Sequence, residues 1–227
     1  LSHGANFLYM LHGKEPDELE GEIMDKCLVL HAEHSFNAST FTARVVASTL
    51  STCYCSIAAA IGALFGSLHG GANEKVLAMV NEIGSKENVR PWITKALDEK
   101  RKVMGMGHRV YKAPDPRALI IEGYLKQLSE KNNDFTSYEI LNEIRTAFRE
   151  RMEEKGKPIY PNVDFFSGSV YSQLGIPATL FTPIFAIARV AGWLSHILEQ
   201  RSDNRIFRPR ALYNGFEGRT LVPIDQR

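Results

Sequence analysis

Apolar residues recur at intervals of three and four along most of the chain. No convincing run alternates apolar and polar positions with the period of a strand. The pattern predicts an almost all-α protein. The segment Ser39–Phe65 is rich in Ala and poor in charge, so it reads as one long helix buried nearly all round. Asn73–Ile83 reads as a shorter helix. Pro116 can open another, because a proline at the first helical position gives up no needed donor. Leu119, Ile120, Tyr124 and Leu128 would form its apolar side. Thr136 and Glu139 have the spacing of a capping box. Leu141, Ile144, Phe148 and Met152 follow at helical intervals, opposite Glu143, Arg145, Arg149, Glu150 and Arg151. This helix should stop near Gly156 and Pro158. Thr179–Glu199 is the last long helix, and the chain beyond Arg208 reads as irregular.

Composition narrows the class. A chain of 227 residues, 44% of them hydrophobic, can bury one or two domain cores. The net charge of +1 offers no global attraction for nucleic acid or an anionic membrane, and neither is expected as a partner. Thr179–Leu198 is the most apolar stretch, but Pro183, Arg189 and His196 would sit badly in lipid, so a buried core helix is expected. No basic–apolar–small signal segment is evident. Cys27, Cys53 and Cys55 form no CxxC pair. They argue against a disulfide framework or structural zinc, and a cytoplasmic compartment is the expectation.

The candidate chemistry lies on three polar stretches between helices. His69-Gly70-Gly71-Ala72-Asn73-Glu74 places a histidine just before a helix N-terminus. The dipole there disfavours imidazolium, and a neutral ring can donate to a carbonyl oxygen gaining charge. An ordinary capping turn with a bystander histidine fits the same residues. Gly105–Lys112 with Asp115-Pro116-Arg117 gathers Arg109, Lys112 and Arg117 around His108. Such a loop suits phosphate or carboxylate groups, although a solvated basic loop reads alike. It has neither the P-loop pattern nor a full dinucleotide fingerprint. Tyr160–Gly168 sets Asp164 among Val163, Phe165 and Phe166, where a partly desolvated carboxylate can act as a general base or simply cap a helix. His31 and His34 are spaced like half a metal site, without a third ligand in sight, and no metal is expected. Arg189 stands in an apolar helix and needs an anionic partner, from the protein or from a substrate.

Six segments carry a resemblance. They are LHAEHSFNASTFTARVVASTL, GSLHGGANEKVL, VMGMGHRVYKAPDPRA, YPNVDFFSG, FTPIFAIARVAGW and FRPR. In this order they resemble the citrate synthase family, most closely its shorter bacterial form, over nearly the whole chain. The resemblance implies a two-lobed helical fold, with residues 1–70 and 169–227 in a large lobe and 71–168 in a small one. It implies condensation of acetyl-CoA, a co-substrate and not a bound cofactor, with oxaloacetate. Asp164 matches the base that takes a methyl proton. His69 matches the group that stabilises the enolate, and His108 the group that polarises the ketone. His34, Arg117 and Arg189 match residues that hold the dicarboxylate. Arg109 and Lys112 lie where the family contacts CoA phosphates. Arg208 matches an arginine donated across a homodimer. The opening LSHGANFLYML resembles an internal family segment, which implies a further N-terminal helical region in the family's chains. Two other readings stand beside this one: 2-methylcitrate synthase, which uses propionyl-CoA, and a non-catalytic helical assembly module of the same fold.

Overall fold

Short polar side chains set where half of the α-helices begin. Ser2 caps α1 (His3–His12) and Asp17 closes a capping box with Glu20 on α2 (Glu18–His31). Asn37 caps α3 (Ala38–Ser48), Thr52 caps α4 (Cys53–Phe65), and Asp115 precedes α7 (Pro116–Asn132). The remaining helices are α5 (Ala72–Ile83), α6 (Val89–Asp98), α8 (Thr136–Glu153), α9 (Asp164–Gln173) and α10 (Phe181–Ser202). The computed structural model describes residues 1–66, 69–107, 113–154, 156 and 158–227. Among them the sole β-type pairing is an isolated bridge between Met106 and Pro161. The all-α expectation holds.

Two apolar clusters organise the helices. The larger joins Ile121, Leu125 and Leu128 of α7 to Phe165, Phe166 and Val170 of α9, and extends over α2, α5 and α8. Full burial of one such side chain stabilises by roughly 1.5–3 kcal/mol. The smaller unites Ala43 and Ala47 of α3, Ala60 and Leu64 of α4, and Trp193 and Ile197 of α10. Alanines at this contact let α3 and α4 lie close together under the Trp193 ring.

Several sequence expectations need correction. Ser39–Phe65 is two helices. The Ser48 and Thr49 hydroxyls bond back to the Val45 and Val46 carbonyls, Leu50 turns left-handed (φ 62°), and Thr52 caps a new helix. Nor is the segment buried all round, for Tyr54 and Phe65 are 86% and 84% exposed. On α7 the buried stripe is Ala118, Ile121, Leu125 and Leu128, leaving Leu119 and Ile120 outside. Thr136 makes no capping box: it is already the first helical residue, and Asp134 Oδ1 accepts its amide at 3.0 Å. Helix α10 buries Ile184, Ala188, Arg189 and Trp193 on one side and exposes Ile187, Leu194 and Leu198 on the other. Its span Ala178–Ser202 is long and apolar enough to cross a membrane by length and composition alone. The helix α8 (Leu141, Ile144, Phe148 and Met152 buried) and the irregular tail agree with expectation.

Candidate active site

Helix ends deliver the site. His69 lies just ahead of α5, and the turn between them depends on two glycines. A Cβ on Gly70 would stand 2.2 Å from the Leu64 carbonyl oxygen, and Gly71 is left-handed at φ 73°. Asp164 is the first residue of α9, not its cap, and Asn162 Oδ1 accepts the Asp164 amide at 3.0 Å. Arg117 sits in the first turn of α7, and Arg189 is halfway along α10. His34 lies between α2 and α3, where Asn37 Nδ2 donates to its carbonyl at 3.2 Å. These five residues line one pocket of about 170 Å³, with Asn37, Asn162 and Phe185 between them.

His108, Arg109 and Lys112 lie outside the described residues. Arg208 is exposed on the tail, with its Nη1 donating to the Pro209 carbonyl at 3.1 Å, and does not line this pocket. A larger pocket of about 290 Å³ lies between α7, α8 and Ile159–Pro161. It holds Asp115, Arg145 and Arg149 but neither of the described candidate catalytic groups, so the smaller pocket is the candidate site.

The protonation of His69 follows from its partners. The Ser39 backbone N–H donates to Nε2 at 3.2 Å, so that nitrogen carries the lone pair and Nδ1 carries the proton. The Ser39 hydroxyl has one proton to share between two acceptors, that nitrogen and Asn37 Oδ1, each 2.8 Å away, and it accepts from Trp193 Nε1. Burial, then the Arg189 charge, hold the imidazole below its usual range, so it is a neutral donor at pH 7.

The charged groups sort in the same way. Burial pushes the Asp164 carboxyl up to about 6, against the pull of Arg117 and Arg189 and with a small push from Asp115. It is ionised at neutral pH, yet basic enough to take a proton. Arg117 is fixed by a two-bond fork to Asp115, Nε to Oδ1 at 3.1 Å and Nη2 to Oδ2 at 2.8 Å. Arg189 is 2% exposed. It donates from Nε to the His31 carbonyl at 2.7 Å and lies over the Phe185 ring, and no carboxylate among the described residues comes within 4.0 Å. Burial draws it down to about 10. His31 Nδ1 donates to the Cys27 carbonyl at 2.7 Å, and burial takes the imidazole down to about 4.

Sequence reasoning missed Ser39, Trp193 and Asp115. Ser39 and Trp193 lie 30 and 124 residues from His69, and no local spacing reveals such contacts. Asp115 was within reach, since it stands two residues before Arg117.

The family model described as "Citrate synthase, C-terminal domain" matches residues 1–210. A citrate synthase of Synechocystis is 55% identical over the whole chain, and a 2-methylcitrate synthase of Shewanella oneidensis is 45% identical over 99% of it. The chain spans 57% and 58% of those two proteins' lengths. A solved ternary complex of carboxymethyl coenzyme A and oxaloacetate with the Thermoplasma acidophilum citrate synthase superposes with a TM-score of 0.91. That protein is 39% identical, and the match covers 100% of this chain and 60% of that one. The chain belongs to the citrate synthase family.

Proposed function

We propose that the protein condenses acetyl-CoA with oxaloacetate and hydrolyses citryl-CoA to citrate and CoA. One observation carries the reading: Arg189 is buried beside Asp164 and His69, and no carboxylate among the described residues lies within 4.0 Å of it. A buried cation of this kind is matched when a substrate carboxylate enters. Arg117, already oriented by Asp115, and His34 hold the rest of the dicarboxylate. Asp164 removes a methyl proton from acetyl-CoA, and His69 Nδ1–H donates to the thioester oxygen as it becomes an enolate. His108 polarises the ketone and protonates its oxygen as the enolate carbon bonds to the ketone carbon. Water then attacks the thioester carbonyl, and CoA leaves as the thiol. Arg109 and Lys112 bind CoA phosphates. No cofactor stays bound.

The lobes 1–70 with 169–227, and 71–168, close over the substrates in this proposal, because water must be kept from the enolate. Titration with oxaloacetate tests the reading: saturable binding supports it, and its absence refutes it. The Shewanella relative makes propionyl-CoA the competing acyl donor. One methyl is worth only about 1–3 kcal/mol in an apolar pocket, so the ratio of kcat/KM for the two thioesters decides.

The reading extends to a homodimer in the cytoplasm, with Arg208 completing the partner's site. The exposed Tyr54 and Phe65 on α4 and Leu198 on α10 offer apolar area for a two-fold interface. Complementation is the check. Mixing Arg208→Ala chains with Asp164→Asn chains is expected to restore activity above either alone, because each mixed dimer keeps one intact site. No recovery would place Arg208 in its own chain's site.

A further inference from the structure

The same face of α10 that carries Arg189 also carries Gly192 and His196, three and seven residues on. That face runs along the backbone of residues 31–33, just ahead of His34. Arg189 Nε donates to the His31 carbonyl at 2.7 Å. A Cβ on Gly192 would stand 2.2 Å from the Ala32 carbonyl oxygen and 3.2 Å from the Glu33 Cα, so the backbones touch only because the residue is glycine. One turn further, His196 Nε2 lies 3.0 Å from Glu33 Oε1.

Its other ring nitrogen fixes the direction of that bond. Arg44 Nη1, always protonated, donates to His196 Nδ1 at 3.1 Å. Nδ1 is therefore an acceptor, and Nε2 carries the proton it gives to the Glu33 carboxylate. Arg44 is itself held by Glu199 and by Gln200 Oε1, and lies over the Phe36 ring. Burial pushes the Glu33 carboxyl up, but the His196 hydrogen bond and the Ser35 amide outweigh it and hold it below the usual range.

The segment so held is short and conformationally costly. Ser35, directly after His34, is left-handed at φ 50°, an unfavourable state for a residue with a Cβ. Asn37 holds the His34 carbonyl from the other side. We propose that His196 and Glu33 are positioning residues, a latch that fixes the segment 32–37 on α10 and so sets His34 beside Arg189. The latch has its purpose in the proposed binding of oxaloacetate and rests on that reading for its function, though not for its geometry.

Three variants test it. His196→Phe keeps the ring but removes both nitrogens, His196→Gln restores a donor near Nε2, and Glu33→Ala removes the acceptor from a half-exposed position outside the core. Backbone amide exchange over residues 32–37, melting temperature and oxaloacetate affinity are read together. His196→Phe and Glu33→Ala are expected to speed exchange in that segment alone. They should raise the oxaloacetate Kd about tenfold, the scale of one misplaced hydrogen bond to a charged group. The melting temperature should stay near the parent's, and His196→Gln should recover most of both effects. Parent-like exchange and affinity in His196→Phe and Glu33→Ala overturn the latch. So does a Gln variant as impaired as Phe, or a global rise in exchange with a fall in melting temperature. If the parent itself binds no oxaloacetate, the proposed function fails, and exchange over 32–37 still decides the latch.

Discussion

Asp164→Asn is expected to lower turnover by about 10²–10⁴-fold while leaving oxaloacetate affinity near that of the parent. Asn fills the same space but cannot take a methyl proton. The same change should stabilise the fold at neutral pH. Burial raises the Asp164 carboxyl from its ordinary 3.8 to about 6, so the native state holds this proton more tightly than the unfolded chain does. The stability that comes from this group is therefore fully present below about pH 4 and is lost as pH rises through 6. Asn escapes that loss, and the variant should gain on the order of 1–3 kcal/mol above pH 6 and nothing near pH 4. Melting curves of parent and variant at the two pH values, together with steady-state rates, check both halves. Parent activity should also fall as pH drops through about 6, when the base is protonated. Near-normal turnover in the variant would remove Asp164 from the role of base.

Arg189→Met carries the second large effect. The guanidinium is buried, drawn down to about 10 by desolvation, and unmatched by a carboxylate among the described residues. Removing one partner of a desolvated charge pair costs about 2–5 kcal/mol, so the oxaloacetate Kd should rise by about 100-fold or more. Stability should suffer less than when a close buried ion pair is broken, because Asp164 and Glu33 feel the Arg189 charge but no carboxylate among the described residues lies within 4.0 Å of it. Calorimetric titration and a melting curve separate the possibilities. Unchanged affinity with a large fall in melting temperature would make Arg189 a structural cation only.

The way these residues came into view shows what a linear chain reveals. Arg189 was visible because a lone cation interrupts an apolar helix. His69 was visible because two glycines follow it, and both prove necessary: one for close approach, one for positive φ. Asp164 stood out as a lone carboxylate among Val163, Phe165 and Phe166. Helix α8 was legible from a clean stripe, whereas α7 carries adjacent apolar residues on both flanks of its stripe, and of the expected apolar side only Leu128 is fully buried. The break between α3 and α4 escaped because hydroxyl groups that bond back to the preceding turn leave no trace in an Ala-rich pattern. Ser39, Trp193, Glu33 and His196 act through contacts between distant segments. Such contacts exist only once α10 lies across α2 and α3, so periodicity could not announce them.

The central claim is that this pocket joins a thioester's methyl carbon to a 2-oxo dicarboxylate. Release of free thiol from acetyl-CoA, followed with each substrate omitted in turn, tests it most directly. The account predicts one CoA thiol for each oxaloacetate consumed, and release only when both substrates are present. Thiol release that proceeds equally without oxaloacetate, or none with both present, would contradict it.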